Sequence, residues 1–441
     1  MHGVLKKYIK YVSLNIMGTV ALALNIFVDA LFISIANGAD GLTALNLAAP
    51  TWGILLGTSF MLGVGGGAAY MNRRATQNKK LANQAFTTAM VFAASISVLF
   101  MSLGIFFAPQ IAGLFGASGH IFPMTTIYLR TVLIASPVII LSNTLGGIIR
   151  NDDAPRVAMA GNILFSFLNI GFDYLFMFIF EMGMFGAALA TGLASVFHLL
   201  LYLIYWRSKQ AKFQLCKFKI QGNMLKSICI MGAPSMIGEF STAIITTTFN
   251  LVILGISGNI GVAAFGILSN LSFILLSIFA GMGQGMQPLA SLYYGEKNKK
   301  NLQKVFRYSI FTALLLSALG YFTLFGFTNL FVNMFNYANN PILTTLANQG
   351  IPFYFIGILF VALNIIITNY LSVTFSPKLA LFLSALRGGI LVIPLILVLS
   401  RFFALTGVWL AYPLSELLTF LIAILCWLIH RRKLNFVQIH S

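Results

Sequence analysis

Nine acidic residues occur among 441 positions, and Asp29, Asp173, Glu239 and Glu416 fall inside long apolar stretches. A carboxylate in hydrocarbon must be paired, protonated or facing water, so each is a functional candidate by default. The competing reading for each is a satisfied hydrogen bond between helices. Asn25 precedes Asp29 by four residues and Asn169 precedes Asp173 by four, a spacing that puts each pair on one helix face. At the α-helical rise, Asp29 and Asp173 both lie roughly 25 Å into their apolar stretches. Thr191 lies at a similar height, close to the outer end of the next stretch. Two carboxylates, two amides and a hydroxyl form an oxygen-rich set suited to a hard cation such as sodium, or to a proton held on a carboxylate of raised affinity. Three unrelated packing contacts are the alternative.

In the second half of the chain, Glu239 and Glu416 are expected near mid-depth, with Arg387 close in height. Either acid could neutralise Arg387 in a buried structural pair, or line a substrate path. Met61 and Gln284 are further candidates for that path, and methionines and aromatics such as Met177, Met282, Met286, Phe249 and Phe273 could form an adaptable pocket. Within "LNIFVDALF", Asn25 and Asp29 share a face while Phe27 and Phe32 are expected to point elsewhere. His198 and His430 have no partner motif. Arg130 is expected to snorkel to an interface. The run "GVGGGAA" at 63–69 is expected to mark close helix packing rather than a phosphate loop.

Helices must carry these residues through lipid. Hydrophobic residues make up 59% of the chain and charged residues 8%, and the mean hydropathy is +0.91. A water-soluble domain usually carries about 25% charged residues. The net charge of +18 therefore speaks for membrane topology and against a nucleic-acid partner. Cys216, Cys229 and Cys426 form neither a metal motif nor a disulfide framework, and no cleavable signal peptide is expected. Twelve apolar segments are long enough to span, at approximately 12–36, 42–70, 85–107, 124–149, 157–180, 186–206, 227–254, 262–293, 305–329, 342–371, 379–399 and 407–430. Pro50, Pro137, Pro234, Pro288, Pro352, Pro394 and Pro413 lie inside them and favour kinks.

Basic residues cluster on one side: Lys6, Lys7 and Lys10, then Arg73, Arg74, Lys79 and Lys80, then Arg150 and Arg156 in the loop after the fourth span. The 6–7 linker adds Arg207, Lys209, Lys212, Lys217, Lys219 and Lys226, and further clusters surround Lys299, Lys378 and Arg431. Arg401 stands alone opposite. The positive-inside rule then places both termini in the cytoplasm of a cell-membrane protein.

The chain also repeats. "QNKKLANQAF" at 77–86 matches "KNKKNLQKVF" at 297–306, an offset of 220, and 186–206 parallels 407–427. Each half has six spans, so the halves share an orientation and are related by an axis along the membrane normal. The expected fold is an all-α integral membrane protein of two six-helix lobes, residues 1–206 and 227–441, joined by a basic linker at 207–226. At the repeat positions of Asp29 and Asp173 stand Phe249 and, approximately, Leu395.

The sequences "VDALFIS…GADGLTALNLAAP", "NILFSFLNIGFDYLF…GMFGAALAT" and "GMGQGMQPLASLYYG" resemble those of the MATE multidrug-extrusion transporters over essentially the whole chain. The similarity is greatest to the DinF-like and MepA-like branches. It implies a secondary antiporter, not an enzyme, that exports amphipathic and often cationic compounds against Na+ or H+, with no other cofactor. A monomer among lipids is expected. In the DinF-like pattern a first-lobe cation site maps onto Asp29, Asn169, Asp173 and Thr191, completed by the backbone carbonyl of Ala187. The NorM-like branch uses acids on its seventh and tenth helices; here the tenth has none, and Glu239 is about one turn from the matching place. A lipid-linked oligosaccharide flippase is the alternative within the superfamily. The segment "NDDAPR" at 151–156 lacks the further Asp of an aspartate-rich prenyltransferase motif.

Overall fold

The computed structural model describes residues 2–217, 222–335, 341–374 and 376–437; Lys219 lies outside them. Helices dominate, and no strand occurs among the described residues. In chain order the spans are α1 Gly3–Gly38, α2 Thr43–Ala75, α3 Lys79–Leu114, α4 Ile121–Ile134 with Ser136–Asn151, α5 Pro155–Ile179 and α6 Gly183–Arg207. There follow α7 Gly222–Gly258, α8 Ile260–Gly295, α9 Lys299–Gly326 and α10 Pro341–Phe355 with Ile358–Val373. The last apolar element runs from Pro377 to Cys426, 50 residues. At ~1.5 Å per residue it is about 75 Å long, well over twice what the hydrocarbon needs. Ala404 breaks it with a positive φ of 46°, giving α11 (377–403) and α12 (from 405).

These helices outrun the expected spans at most of their ends. Arg73 and Arg74 end α2, and Lys79 and Lys80 begin α3, instead of lying in a loop. Charge marks where lipid stops, whereas capping marks where a helix stops. Asn78 caps α3 by accepting from the Leu81 amide, and Asn298 caps α9 by accepting from the Asn301 amide. The residue before each cap, Gln77 or Lys297, has a positive φ. Gly38 and Gly258, also 220 residues apart, share one left-handed conformation at the α1–α2 and α7–α8 turns (φ 64° and 63°). The repeat is therefore written in the backbone as well as in the sequence. Of the prolines, Pro137 opens the second segment of α4 after a 51° bend, and Pro352 lies in the last turn before the 44° bend of α10.

Two apolar cores form, one mainly within α1–α6 and one mainly within α7–α12. Large side chains such as Phe106, Phe167, Phe311, Phe322 and Phe402 face outward, where only lipid can cover them. Met177, Met282, Met286 and Phe249 are buried in the cores, while Phe273 is exposed. Phe249 stacks on Phe265 at 4.7 Å, so an aromatic contact fills the place that Asp29 holds in the first half.

The halves meet at the end that carries the basic clusters. Gly65 of α2 lies against the backbone of Ile228 in α7, and Gly232 of α7 against the backbone of Met61; a Cβ at either glycine would collide. Gly281 and Gly285 of α8 lie equally close to α1 at Ile16 and Val12. Tyr8 packs on Tyr308 there, with ring centroids 5.8 Å apart. Toward the opposite end Gly238, Gly255 and Gly258 of α7 have no neighbour within 4 Å of a Cβ position, and Leu24, Phe27 and Leu31 of α1 are exposed. The cleft is thus closed at the basic end and parted at the other. The "GVGGGAA" run is a packing surface: Gly63 and Gly67 contact α4, Gly66 contacts α3 and Gly65 contacts α7.

Candidate functional site

The broken α4, with α1, α5 and α6, surrounds the acids of the first half. Asn25 donates to Asn169 Oδ1 at 2.8 Å, and Asn169 Nδ2 reaches the Thr191 hydroxyl at 3.5 Å, a long contact. The Thr191 hydroxyl in turn donates to the Ala187 carbonyl at 3.2 Å, which leaves its lone pairs facing Asn169. Asn169 and Asp173 are wholly buried, and Asn25 and Thr191 nearly so. Neither carboxylate oxygen of Asp173 has a hydrogen-bond partner, nor does Oδ1 of the partly buried Asp29 or Oδ1 of Asn25. The Asp29 and Asp173 charges act on each other, and no basic group joins them. A carboxylate without a partner in a membrane span is costly, which makes this pair of acids the chemically distinctive feature of the first half.

The structure therefore brings Asn25, Asp29, Asn169, Asp173, Thr191 and Ala187 together. Two further residues join them that the acid-based reading passes over. The buried Tyr128 of α4 lies within electrostatic range of both acids, and its hydroxyl accepts from Trp52 Nε1 at 3.0 Å. Neither carries charge, and only their polar tips in an apolar stretch marked them. Phe32 was expected to point away, yet it packs on Phe178 at 5.3 Å and faces Tyr174, both of α5. It lies three residues past Asp29, so it shares the acidic face and walls the cluster with an aromatic ring.

The other candidates separate. Glu416 is buried, and both of its carboxylate oxygens accept from Arg387 Nε at 2.9 Å; Asn364 adds a bond of 2.7 Å. Arg387 is thus neutralised by Glu416. Glu239 is partly buried on α7, beside Gly53 of α2, in the cleft between the halves. Met61 lies at the close α2–α7 crossing. Gln284 accepts from Arg150, which is not in a loop as expected but buried in the last turn of α4. Arg130 is exposed. At the basic end Arg74 and Lys212 pair with Asp153, and Asp152 accepts from Tyr70, Tyr205 and the Lys212 amide, so the acids of "NDDAPR" anchor the linker.

Fold and cluster together define a twelve-span helical membrane protein, with a buried polar site in its first half and a cleft between halves. A family model described as MatE matches residues 16–175 and 234–398, and the chain belongs to that family. The curated relatives include the multidrug export protein MepA of Staphylococcus saprophyticus, 25% identical over 92% of this chain and 89% of that protein. MepA of Staphylococcus aureus is 26% identical over 97% of this chain and 95% of its own length. Solved structures with the same fold include a MOP superfamily transporter from Pyrococcus furiosus (TM-score 0.90, 21% identity, 98% of this chain and 96% of that one). Another is an outward-facing multidrug resistance MATE transporter (TM-score 0.90, 22% identity, again 98% and 96%). The MATE resemblance read from the sequence is borne out.

Proposed function

We propose that this chain is a secondary active multidrug efflux antiporter that exports amphipathic, often cationic compounds in exchange for Na+ or H+. The observation that carries the proposal is the pair of acids: Asp173, buried with neither oxygen partnered, and the partly buried Asp29, whose Oδ1 is unpartnered and whose charge acts on Asp173. Asn25, Asn169, Thr191 and the Ala187 carbonyl supply the neutral oxygens that sodium would need; a proton needs only the carboxylates. In this reading residues 1–206 and 227–441 move as lobes about the 207–226 linker, both termini are cytoplasmic, and the cleft described above is parted toward the exterior. The protein works in the cell membrane as a monomer. Glu239, beside Gly53 in the cleft, is the acid placed to meet a cationic substrate.

A lipid-linked oligosaccharide flippase would need free intramembrane cations for a pyrophosphate. Arg387 is already neutralised by Glu416, and Arg150 lies buried in a pocket with room for little more than a water-sized ion, which disfavours that alternative. Ethidium efflux from cells tests the proposal, with the sodium and pH gradients collapsed separately. Loss of efflux on collapsing one of them is expected. Efflux that persists without either gradient would sink the antiport mechanism.

A further inference from the structure

A second polar site lies nearer the basic end of the first half, between α1, α4, α5 and α6. Its centre is Arg150, 8% exposed. The guanidinium donates to Gln284 of α8 and, at 3.4 Å, to Asn15 of α1, both neutral amides. Its Nε has no partner. The neighbouring acids are committed elsewhere: Asp152 to Arg74, Tyr70 and Tyr205, and Asp153 to Arg74, Lys212 and Tyr11. Across the pocket stands His198, 3% exposed, also with an unpartnered Nε2. Its ring packs on Tyr202 at 4.5 Å. Asn143 and Asn162 add amides to the lining, and Gly18, Gly146 and Gly147 stand among its apolar wall.

A buried guanidinium without a counter-charge is costly in a protein interior, and more so in a membrane. Arg150 and His198 line one pocket, and each has a buried nitrogen without a hydrogen-bond partner; the guanidinium, which can only donate, calls for an anion. We propose that this pocket binds a small monovalent anion of the halide class, chloride in the cell. Arg150 Nε donates to it, and so does His198 in the tautomer that carries its proton on Nε2. The amide of Asn162 lies alongside. The aromatic Tyr202 and the glycine-lined wall leave room for an ion of about water's size, which favours a halide over an organic carboxylate. The site is distinct from the Asp29–Asp173 cluster, which gathers carboxylates and so has the opposite polarity.

Bromide diffusion into crystals of the whole protein should give an anomalous peak within hydrogen-bonding distance of both Arg150 Nε and His198 Nε2. In solution, chloride replacing gluconate at fixed sodium should raise the melting temperature by roughly 2 °C or more, because a ligand that binds only the folded state stabilises it. Arg150→Gln should abolish both effects. Since that variant also loses the bond to Gln284, His198→Phe serves as the second test: it keeps the Arg150–Gln284 bond and should still weaken both. Equal melting temperatures in chloride and gluconate with no bromide peak would overturn the proposal. So would a peak undiminished in both variants, or stabilisation by acetate and not by chloride.

Discussion

Asp173 is the residue on which most depends. It is fully buried, its oxygens are unpartnered, and its neighbour Asp29 is also an acid. Asp173→Asn and Asp29→Asn keep shape and remove charge, so each should abolish ion-driven efflux while leaving expression near normal; undiminished gradient-driven transport in either would contradict the site. Thr191→Val removes one neutral oxygen and should cost less, weakening apparent ion affinity about tenfold, read as a shift in the ion concentration giving half-maximal transport. Glu416 behaves differently because its charge is already satisfied. Glu416→Gln strips the partly buried Arg387 of its counter-charge and should lower stability by about 3 kcal/mol, visible in thermal unfolding of purified protein. Unchanged unfolding would mean that Arg387 finds another partner. The first-half acids were legible in the sequence because charge in an apolar stretch stands out and four-residue spacing fixes a face. Tyr128 and Trp52 were not, because uncharged aromatics in a span look like any other lipid-facing ring. Phe32 was misjudged because seven residues from Asn25 is two full turns, which returns it to the same face.

Helix contacts explain the closed end. Gly65 and Gly232 let α2 and α7 touch backbone to backbone. Gly232→Val should push the helices apart and open the basic end. With Cys216 and Cys426 replaced by serine, Cys229 on α7 reports this: its reaction with a water-soluble maleimide should become several-fold faster. An unchanged rate would show that the crossing is not what holds the end shut. The linker segment is held by a different device. Burial opposes the charge of Asp153, but bonds from Lys212 and Arg74 outweigh this and hold its carboxyl below the usual range. Burial pushes Asp152 above its usual range in spite of several donors. A depressed carboxyl stabilises above its unfolded pKa of about 3.9 and loses that effect only as pH falls through the lower folded value. A raised one has the opposite sign and weakens as pH rises through its folded value. Asp153→Asn should therefore reduce linker protection, measured as resistance to trypsin at Lys212 at pH 8, where the native carboxyl is charged. Loop and helix boundaries were the least legible part of the fold, since Arg73, Lys79 and Arg150 mark the edge of lipid while the helices run on to their caps.

At the scale of the whole molecule, the repeat was readable because turn residues recur at a fixed offset: Gly38 with Gly258, Asn78 with Asn298. The chemistry does not repeat. Asp29 has Phe249 as its counterpart, buried in an aromatic stack, so the second half lacks the acid that Asp29 supplies in the first. The open end of the cleft was not legible, because one sequence must support both states of a transporter and the residues that close one end are ordinary glycines. Antiport requires that ion and substrate weaken each other's binding, and this coupling free energy is reciprocal. In the proposed antiport Asp29, partly buried on α1 beside the cluster, is the residue placed to transmit it. Equilibrium binding of a fluorescent cationic substrate to purified protein, titrated with sodium and separately with acid, tests this most directly. The account predicts that one cation weakens binding by about five-fold or more in the native chain and has no effect in Asp29→Asn. Binding indifferent to both cations, or an effect that persists in Asp29→Asn, would contradict it.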